Sequence, residues 1–229
     1  MRRGRGLAAI ILLLGSFAPS ASAQVTPVRP LRRLEVAGGV GVFSGGSLGT
    51  GDADIRANAT SPTPFRLFST DSALGRAPVV EARLSTALTR RYEIEGRFSF
   101  SRPELRTSIS ADAENAPGLT IVERVDQYQI DGALLVLFDE VRLGSAVPFA
   151  SAGAGYLRQL HEGLTVIESG RVYHIGGGVK HWFLTRARGA VRAAGVRADA
   201  RLYVLSGGIA VEDGPRPHVA VSASFFATF

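Results

Sequence analysis

Residues 195–205, GVRADARLYVL, alternate between apolar and charged side chains over most of their length. The even-numbered positions carry Val, Ala or Leu, and the odd-numbered positions from 197 to 201 carry Arg or Asp. Successive side chains of a β-strand point to opposite faces, so this period of two predicts a strand with one apolar and one charged face. The same period occurs in residues 93–100, EIEGRFSF, and in residues 126–138, DQYQIDGALLVLF.

A period of two continues through the chain after about residue 34, and it predicts an all-β protein. Eight strands are predicted, at about residues 34–44, 78–89, 93–106, 124–138, 146–158, 171–183, 191–206 and 217–229. Each is long enough to cross a bilayer as a tilted strand, which takes about 9–11 residues. The connections alternate between long polar segments, at 45–77, 107–123, 159–170 and 207–216, and short ones, at 90–92, 139–145 and 184–190.

A strand with one charged face fits two kinds of protein. In a soluble sandwich or barrel the apolar face points inward, and in a transmembrane barrel it points outward to lipid. The alternation of long and short connections favours the transmembrane barrel, in which long loops lie on one side of the membrane and short turns on the other. Proline supports this choice, because Pro78, Pro103, Pro148 and Pro217 fall near strand ends, where a missing donor is tolerated.

Aromatic residues cluster beside the short turns and at the end of the chain. They are Tyr92, Phe138, Phe149, Trp182, Phe183 and Phe229. A transmembrane barrel carries a girdle of aromatic side chains where its outer wall meets the membrane–water interface. We therefore expect these six residues to form such a girdle at one rim.

The sequence thus predicts an eight-stranded, antiparallel, up-and-down transmembrane β-barrel over residues 34–229. The interior of such a barrel is just wide enough to be filled by side chains. The charged strand faces then point into this lumen, and charges of both signs in so narrow a space are expected to pair. The predicted lumen charge cluster consists of Glu81, Arg83, Glu95, Arg97, Asp131, Lys180, Arg197, Asp199 and Arg201, with Glu93 on the same strand face as Glu95.

The first 23 residues have the features of a cleaved export signal. MRRGRG is a positive segment, LAAIILLLGSFA is an apolar segment, and Ala21 and Ala23 form a small-residue cleavage pattern before Gln24. Residues 24–33 form a short lead-in with two prolines. Removal of the leader with its three arginines lowers the formal net charge from +6 to +3, so the basic balance gives little reason to expect a nucleic-acid partner.

Candidate catalytic and metal-binding residues are few. The chain has no Cys, which excludes disulfides, thiol nucleophiles and Cys-based zinc sites. Asp52 and Asp54 lack the ligand spacing of a calcium loop, and no cofactor or metal site is predicted. His161 and His218 are the residues that could serve as a base in a lipid-directed enzyme, but neither lies in a recognisable catalytic motif.

Several stretches together carry a family resemblance: the leader, VDQYQIDGALLVLF, VPFASAGAGYLRQL, VRADARLYVLSGG and the terminal Phe. Over residues 34–229 the chain resembles the bacterial outer-membrane β-barrel domain proteins of the OmpA/OmpX type. The resemblance implies insertion in the outer membrane, contact with outer-membrane lipid and lipopolysaccharide, and a monomeric barrel. It also implies that the barrel-assembly machinery reads the last strand, with Val221, Phe225 and Phe229 as the assembly signal; Ala227 departs from the bulky residue usual at its position.

Four functions are compatible with this pattern. The first is a non-enzymatic outer-membrane barrel with four surface loops, for envelope integrity or surface interaction. The alternatives are a narrow ion channel, a lipid-modifying barrel enzyme, and a soluble periplasmic barrel that binds a ligand. The fold pattern and the absence of a catalytic constellation favour the first, while the resemblance implies location and fold rather than an activity.

The predicted assembly signal can be tested at its last residue. Deletion of Phe229 should reduce the amount of barrel in the outer membrane, because the terminal aromatic is the part of the signal that the resemblance singles out. Ala227→Tyr, which brings the strand closer to the family pattern, should leave assembly undiminished. The measurement is membrane fractionation with a heat-dependent shift on gels, and equal assembly with and without Phe229 would contradict the prediction.

Overall fold

The fold is given by a computed structural model, which describes residues 34–55, 64–114, 116–141, 144–162, 166–211 and 214–229. The predicted leader, residues 1–23, and lead-in, residues 24–33, lie outside the described residues. Within the described ranges no helix is both long and apolar enough to cross a membrane.

The described residues form eleven β-strands. They are β1 (Leu34–Phe43), β2 (Gly46–Ile55), β3 (Phe65–Leu74), β4 (Ala77–Ala87), β5 (Tyr92–Ser101), β6 (Glu104–Ser110), β7 (Leu119–Leu137), β8 (Ala146–His161), β9 (Ile167–Thr185), β10 (Ala193–Gly207) and β11 (Arg216–Thr228). All the strand pairs are antiparallel.

Eight of these strands close into a barrel, in the order β1, β4, β5, β7, β8, β9, β10, β11 and back to β1. Val42 of β1 lies opposite Val221 of β11, so the first and last strands of the barrel are paired to each other. Each barrel strand pairs with the barrel strand that follows it along the chain, which makes the topology up-and-down. The predicted all-β, eight-stranded antiparallel barrel is therefore confirmed.

The stagger of the strands follows from the register. A row of facing residues can be followed once around the barrel. It starts at Arg91, whose carbonyl accepts a backbone hydrogen bond from Leu137 of β7. From there it passes in turn through β8, β9, β10, β11, β1 and β4. The row then reaches β5 at Ser101, which is ten residues further along the chain than Arg91, the residue directly before β5. With eight strands this stagger corresponds to a tilt of about 40°. The resulting interior accommodates side chains rather than a wide aqueous channel.

The two faces of the barrel strands differ sharply in composition. Large apolar side chains are exposed on the outside, among them Ile130 (61% exposed) and Phe225 (70% exposed). Charged and polar side chains are buried on the inside, among them Lys180 and Arg197. This arrangement is the reverse of a soluble protein, and it matches a wall that contacts lipid.

Two predicted loops contain strands. Segment 45–77 holds β2 and β3, and segment 107–123 holds most of β6 and the start of β7. The predicted strand 93–106 is divided, because β5 ends at Ser101 and β6 begins at Glu104. Pro103 lies at the division and cannot donate a ladder hydrogen bond, although its carbonyl accepts one from Val125.

The aromatic girdle is present only in part. Tyr92, Phe138, Phe183 and Phe229 are exposed beside the short turns, as predicted. The prediction is wrong for Phe149, which is buried, and for Trp182, which packs against buried residues inside the barrel. Strand alternation explains the difference, because both side chains fall on the inward-facing positions of β8 and β9.

Candidate functional site in the barrel interior

The barrel interior brings the predicted charged residues together. All nine members of the lumen charge cluster are buried, and so is Glu93. Four arginines and four carboxylates occupy the middle of the strands, where they form one continuous network. They are Arg83, Arg97, Arg197 and Arg201 with Glu81, Glu95, Asp131 and Asp199. Equal numbers of the two signs make this network formally neutral.

Glu95 and Asp199 hold one half of the network. Glu95 accepts from Arg201, with Nη2 to Oε1 at 2.7 Å, and also from Arg197. Asp199 accepts from Arg83 at 2.8 Å, from Arg201 at 2.9 Å and from Arg197 at 3.2 Å. Glu95 of β5 therefore bridges two arginines of β10, and Asp199 bridges the same two arginines and Arg83 of β4. Such shared, charge-assisted hydrogen bonds offset the cost of removing charges from water.

Asp131 organises the other half. It accepts from Arg97 Nε at 2.9 Å, from the Gln129 amide at 3.0 Å, and lies 3.1 Å from His174 Nε2. His174 reaches Asp131 across Gly153, where a Cβ would lie only 2.6 Å from His174 Nε2. A side chain at position 153 would displace His174, so this glycine is required for the contact.

Lys180 lies in a second group nearer the short turns. Its ammonium donates to Glu35 at 2.6 Å and to Glu93 at 2.7 Å. Sequence reasoning missed Glu35 and His174 as lumen residues. Strand alternation in the sequence could have identified both. Glu35 lies between the outward-facing Leu34 and Val36 of β1, and His174 lies between the outward-facing Tyr173 and Ile175 of β9, so both side chains point inward.

Apolar clusters close the lumen on both sides of the charges. Toward the short turns, the cluster consists of Ala133, Leu135, Leu137, Val147 and Phe149, with Trp182 packed against it. Toward the long loops, one cluster consists of Phe43, Leu157, Val172, Tyr203, Leu205 and Ala220, and a second consists of Leu48, Leu74, Leu105, Val125 and Ile209. The Arg197 guanidinium lies 4.3 Å from the centre of the Phe149 ring, so the charges contact the turn-side cluster directly.

A small cavity lies inside the barrel, with a volume of about 10 Å³. Arg201 and Tyr203 line it, and among the described atoms Arg201 Nη1 and the Tyr203 hydroxyl have no hydrogen-bond partner. A space of this size holds about one water molecule. Side chains of the charge network and of the loop-side apolar cluster, among them Glu81, Arg97 and Phe43, surround this cavity.

The two candidate bases lie in different surroundings. His161 Nδ1 is 3.0 Å from Glu123 Oε1 at the loop end of the barrel. The His218 ring stacks on Phe43 with centroids 5.1 Å apart, and its Nδ1 is 3.4 Å from the Ser44 carbonyl oxygen. Among the described residues, no hydrogen bond joins either imidazole to a serine hydroxyl. No group of three or more potential metal ligands is found among them either.

The residues of the predicted assembly signal lie on the outer wall. Val221, Phe225 and Phe229 are all exposed, and Ala227 occupies the same face of β11. Phe225 lies opposite Gly38 of β1 and Val196 of β10. These positions put the three apolar side chains where a lipid or another membrane protein can contact them.

The fold and its filled interior define a transmembrane β-barrel of eight strands, which is the fold that the family resemblance implied. No protein-family model matches the sequence, and no curated protein matches it.

Three solved structures with a similar course of the chain are outer-membrane proteins or parts of them. The chain is similar to the outer membrane protein OprG from Pseudomonas aeruginosa, with 8% identity, a TM-score of 0.48, and coverage of 87% of this chain and 96% of that one. It is similar to Ail, the attachment invasion locus protein of Yersinia pestis, with 9% identity, a TM-score of 0.35, and coverage of 87% and 100%. It is also similar to the β domain of the Bordetella autotransporter BrkA, with 10% identity, a TM-score of 0.35, and coverage of 86% and 99%.

Removing one carboxylate from the network tests its contribution to stability. Glu95→Gln removes one of the two carboxylates that Arg197 and Arg201 share and leaves the four arginines of the network with three carboxylates. An uncompensated buried charge costs about 3–5 kcal/mol. The matched control is Glu140→Gln, which breaks the exposed pair between Glu140 and Arg91 and should cost at most about 1 kcal/mol. Unfolding by urea in lipid vesicles measures both, and equal losses would show that the network does not stabilise the barrel.

Proposed function

We propose that this protein is a non-catalytic integral protein of the bacterial outer membrane, whose barrel anchors a β-sheet for contact with a partner at the cell surface. One observation carries the proposal: the lumen is closed by charges and apolar clusters, while strands on the long-loop side extend beyond the barrel. The apolar outer wall, the short turns at one end and the predicted export signal support the outer membrane as its location.

The extension is a four-stranded sheet, which we call the surface sheet. It consists of β2, β3, β6 and residues Leu119–Arg124 of β7, paired in that order. Its base packs over the barrel mouth through the loop-side cluster that contains Leu48 and Leu105. The surface sheet is therefore continuous with the barrel through β7 and is held in a fixed orientation.

Two edges of the surface sheet are open among the described residues. β2 has a strand partner, β3, on one side only, although Leu48 of β2 also accepts a backbone hydrogen bond from Val211. β7 pairs with β8 only from Val125 onward. On the β7 edge, Leu119, Ile121 and Val122 are all at least half exposed. An open, apolar edge strand accepts an extended polypeptide by strand addition, in which the backbone supplies the hydrogen bonds. This supports an extended segment of another protein as the partner.

The closed lumen argues against the channel function. Each charge of the central network has a partner on another strand, and the turn-side cluster contacts the network through the Phe149 ring. The purified protein should therefore give no defined single-channel openings in planar bilayers, under conditions in which a wide porin conducts. Reproducible openings of one size would overturn the non-conducting function and favour the channel.

The surface sheet can be removed without interrupting the barrel. Phe43 of β1 lies opposite Ala77 of β4, and Ser101 of β5 lies opposite Gln127 of β7. Residues 44–76 and residues 102–126 can therefore each be replaced, in one variant, by Asn-Gly, which forms a two-residue hairpin turn. Bacteria that display this variant should lose attachment to wells coated with reduced, carboxymethylated α-lactalbumin, an unfolded polypeptide. The purified variant should keep its heat-dependent gel shift, because the eight barrel strands remain.

The matched control shortens a different surface connection. Residues 162–165 between β8 and β9 are replaced by Asn-Gly, which leaves the surface sheet intact, and attachment should stay at the wild-type level. Attachment that survives removal of the surface sheet, or that falls equally in both variants, would contradict the proposed role of the sheet.

A further inference from the structure

Two arginines on the outer wall form no ion pair with any carboxylate of the described residues. Arg158 of β8 and Arg171 of β9 are exposed near the loop end of the barrel, and the inward-facing positions beside them are the fully buried Leu157 and Val172. No carboxylate among the described residues forms an ion pair with either guanidinium. Arg102, which also lies on the loop side, differs in this respect, because Asp126 pairs with it.

The register makes these arginines neighbours. Arg158 lies opposite Ser169, and Tyr156 lies opposite Arg171. These four residues share one outward face, and the two arginines are diagonal neighbours on the paired strands β8 and β9. Diagonal residues on paired strands are about 7–8 Å apart, within reach of long side chains. Two like charges so placed repel each other unless an anion lies between them, and an arginine on a lipid-facing wall is costly without one.

A hydroxyl group completes the arrangement. The Tyr156 hydroxyl donates to Ser169 Oγ at 2.6 Å, which leaves the Ser169 proton free to be donated elsewhere. Two guanidinium forks and a hydroxyl donor on one small area match the several acceptor oxygens of a phosphate group. A carboxylate would offer only two oxygens to these donors.

We propose that Arg158, Arg171 and Ser169 bind a phosphate group of an outer-leaflet glycolipid. The wall around and below this site favours a lipid over free phosphate. Tyr173 lies two residues along β9 from Arg171, and Ile175 lies two residues further; both are about half exposed or more on the same face. A ligand with a phosphate head and acyl chains contacts the arginines and this apolar strip at once. The site rests on the proposed insertion in the outer membrane.

The test compares two double variants of the full-length mature barrel in detergent. Arg158→Gln with Arg171→Gln should weaken binding of bisphosphorylated lipid A by at least about tenfold, since both substitutions remove charge-assisted hydrogen bonds to the phosphate. Arg186→Gln with Arg188→Gln, which removes two exposed arginines from a short turn, is the matched control and should bind like the wild type. Native mass spectrometry of the lipid titration gives the affinities.

Two further binding measurements distinguish a lipid phosphate group from free inorganic phosphate. Fully dephosphorylated lipid A should bind the wild type no better than it binds the double variant, and millimolar inorganic phosphate should not displace bisphosphorylated lipid A. Equal affinity of the double variant and the wild type for bisphosphorylated lipid A would overturn the site. Displacement by inorganic phosphate would overturn its assignment to a lipid.

Membrane insertion is measured separately. The heat-dependent gel shift of both double variants shows whether the barrel has folded, and the affinities are compared only between variants that show it. Arg158→Lys with Arg171→Lys retains the charges and should recover part of the lost affinity. A wild type that fails to show the shift or to insert into vesicles would refute the membrane-protein function itself, an outcome distinct from failure of the phosphate site.

Discussion

The pairing of β1 with β11 is the interaction on which the rest of the structure depends. Inside a bilayer no water replaces a missing backbone hydrogen bond, so a sheet can cross only if it has no open edge. Val42 opposite Val221 and Gly38 opposite Phe225 close that edge. The stagger of ten residues then fixes the tilt and the width of the interior, and this width leaves room for side chains and little else.

Closure also explains why the interior is charged. The outer positions of every strand must be apolar, and strand alternation leaves the inner positions free to be polar. An interior of apolar side chains would make each strand apolar on both faces. The structure instead combines charges at mid-strand with apolar clusters at both ends, so the network around Glu95 and Asp131 is separated from the aqueous compartments by Phe149 on one side and Tyr203 on the other.

The sequence predicts the barrel and the direction of its side chains because both depend on a local period of two. Alternation placed Arg197 and Asp199 inside and Val221 and Phe225 outside, in agreement with the geometry of β10 and β11. The period of two is weak where polar and apolar residues are mixed, which is why β2, β3 and most of β6 fall in segments predicted as loops. The aromatic prediction is wrong for Phe149 because it rests on residue type and on closeness to a short turn. The alternation of β8 assigns the Phe149 side chain to the inward face of the strand.

The partners of the charges lie beyond any local pattern. Arg83 binds Asp199 across 116 residues and Arg197 binds Glu95 across 102, so only the closed barrel defines these pairs. The phosphate site depends on register in the same way, since Arg158 and Arg171 become neighbours only once Ser169 is known to lie opposite Arg158.

The wide sequence separation of the ion pairs has a consequence for how the protein enters the membrane. Lys180 meets Glu35 across 145 residues, and these two strands come together only when the sheet has curved fully around. A half-formed sheet in lipid would expose unpaired charges from several strands at once, at a cost of several kcal/mol per ion. Partly inserted states are therefore disfavoured, and we expect the eight strands to enter the membrane cooperatively rather than hairpin by hairpin.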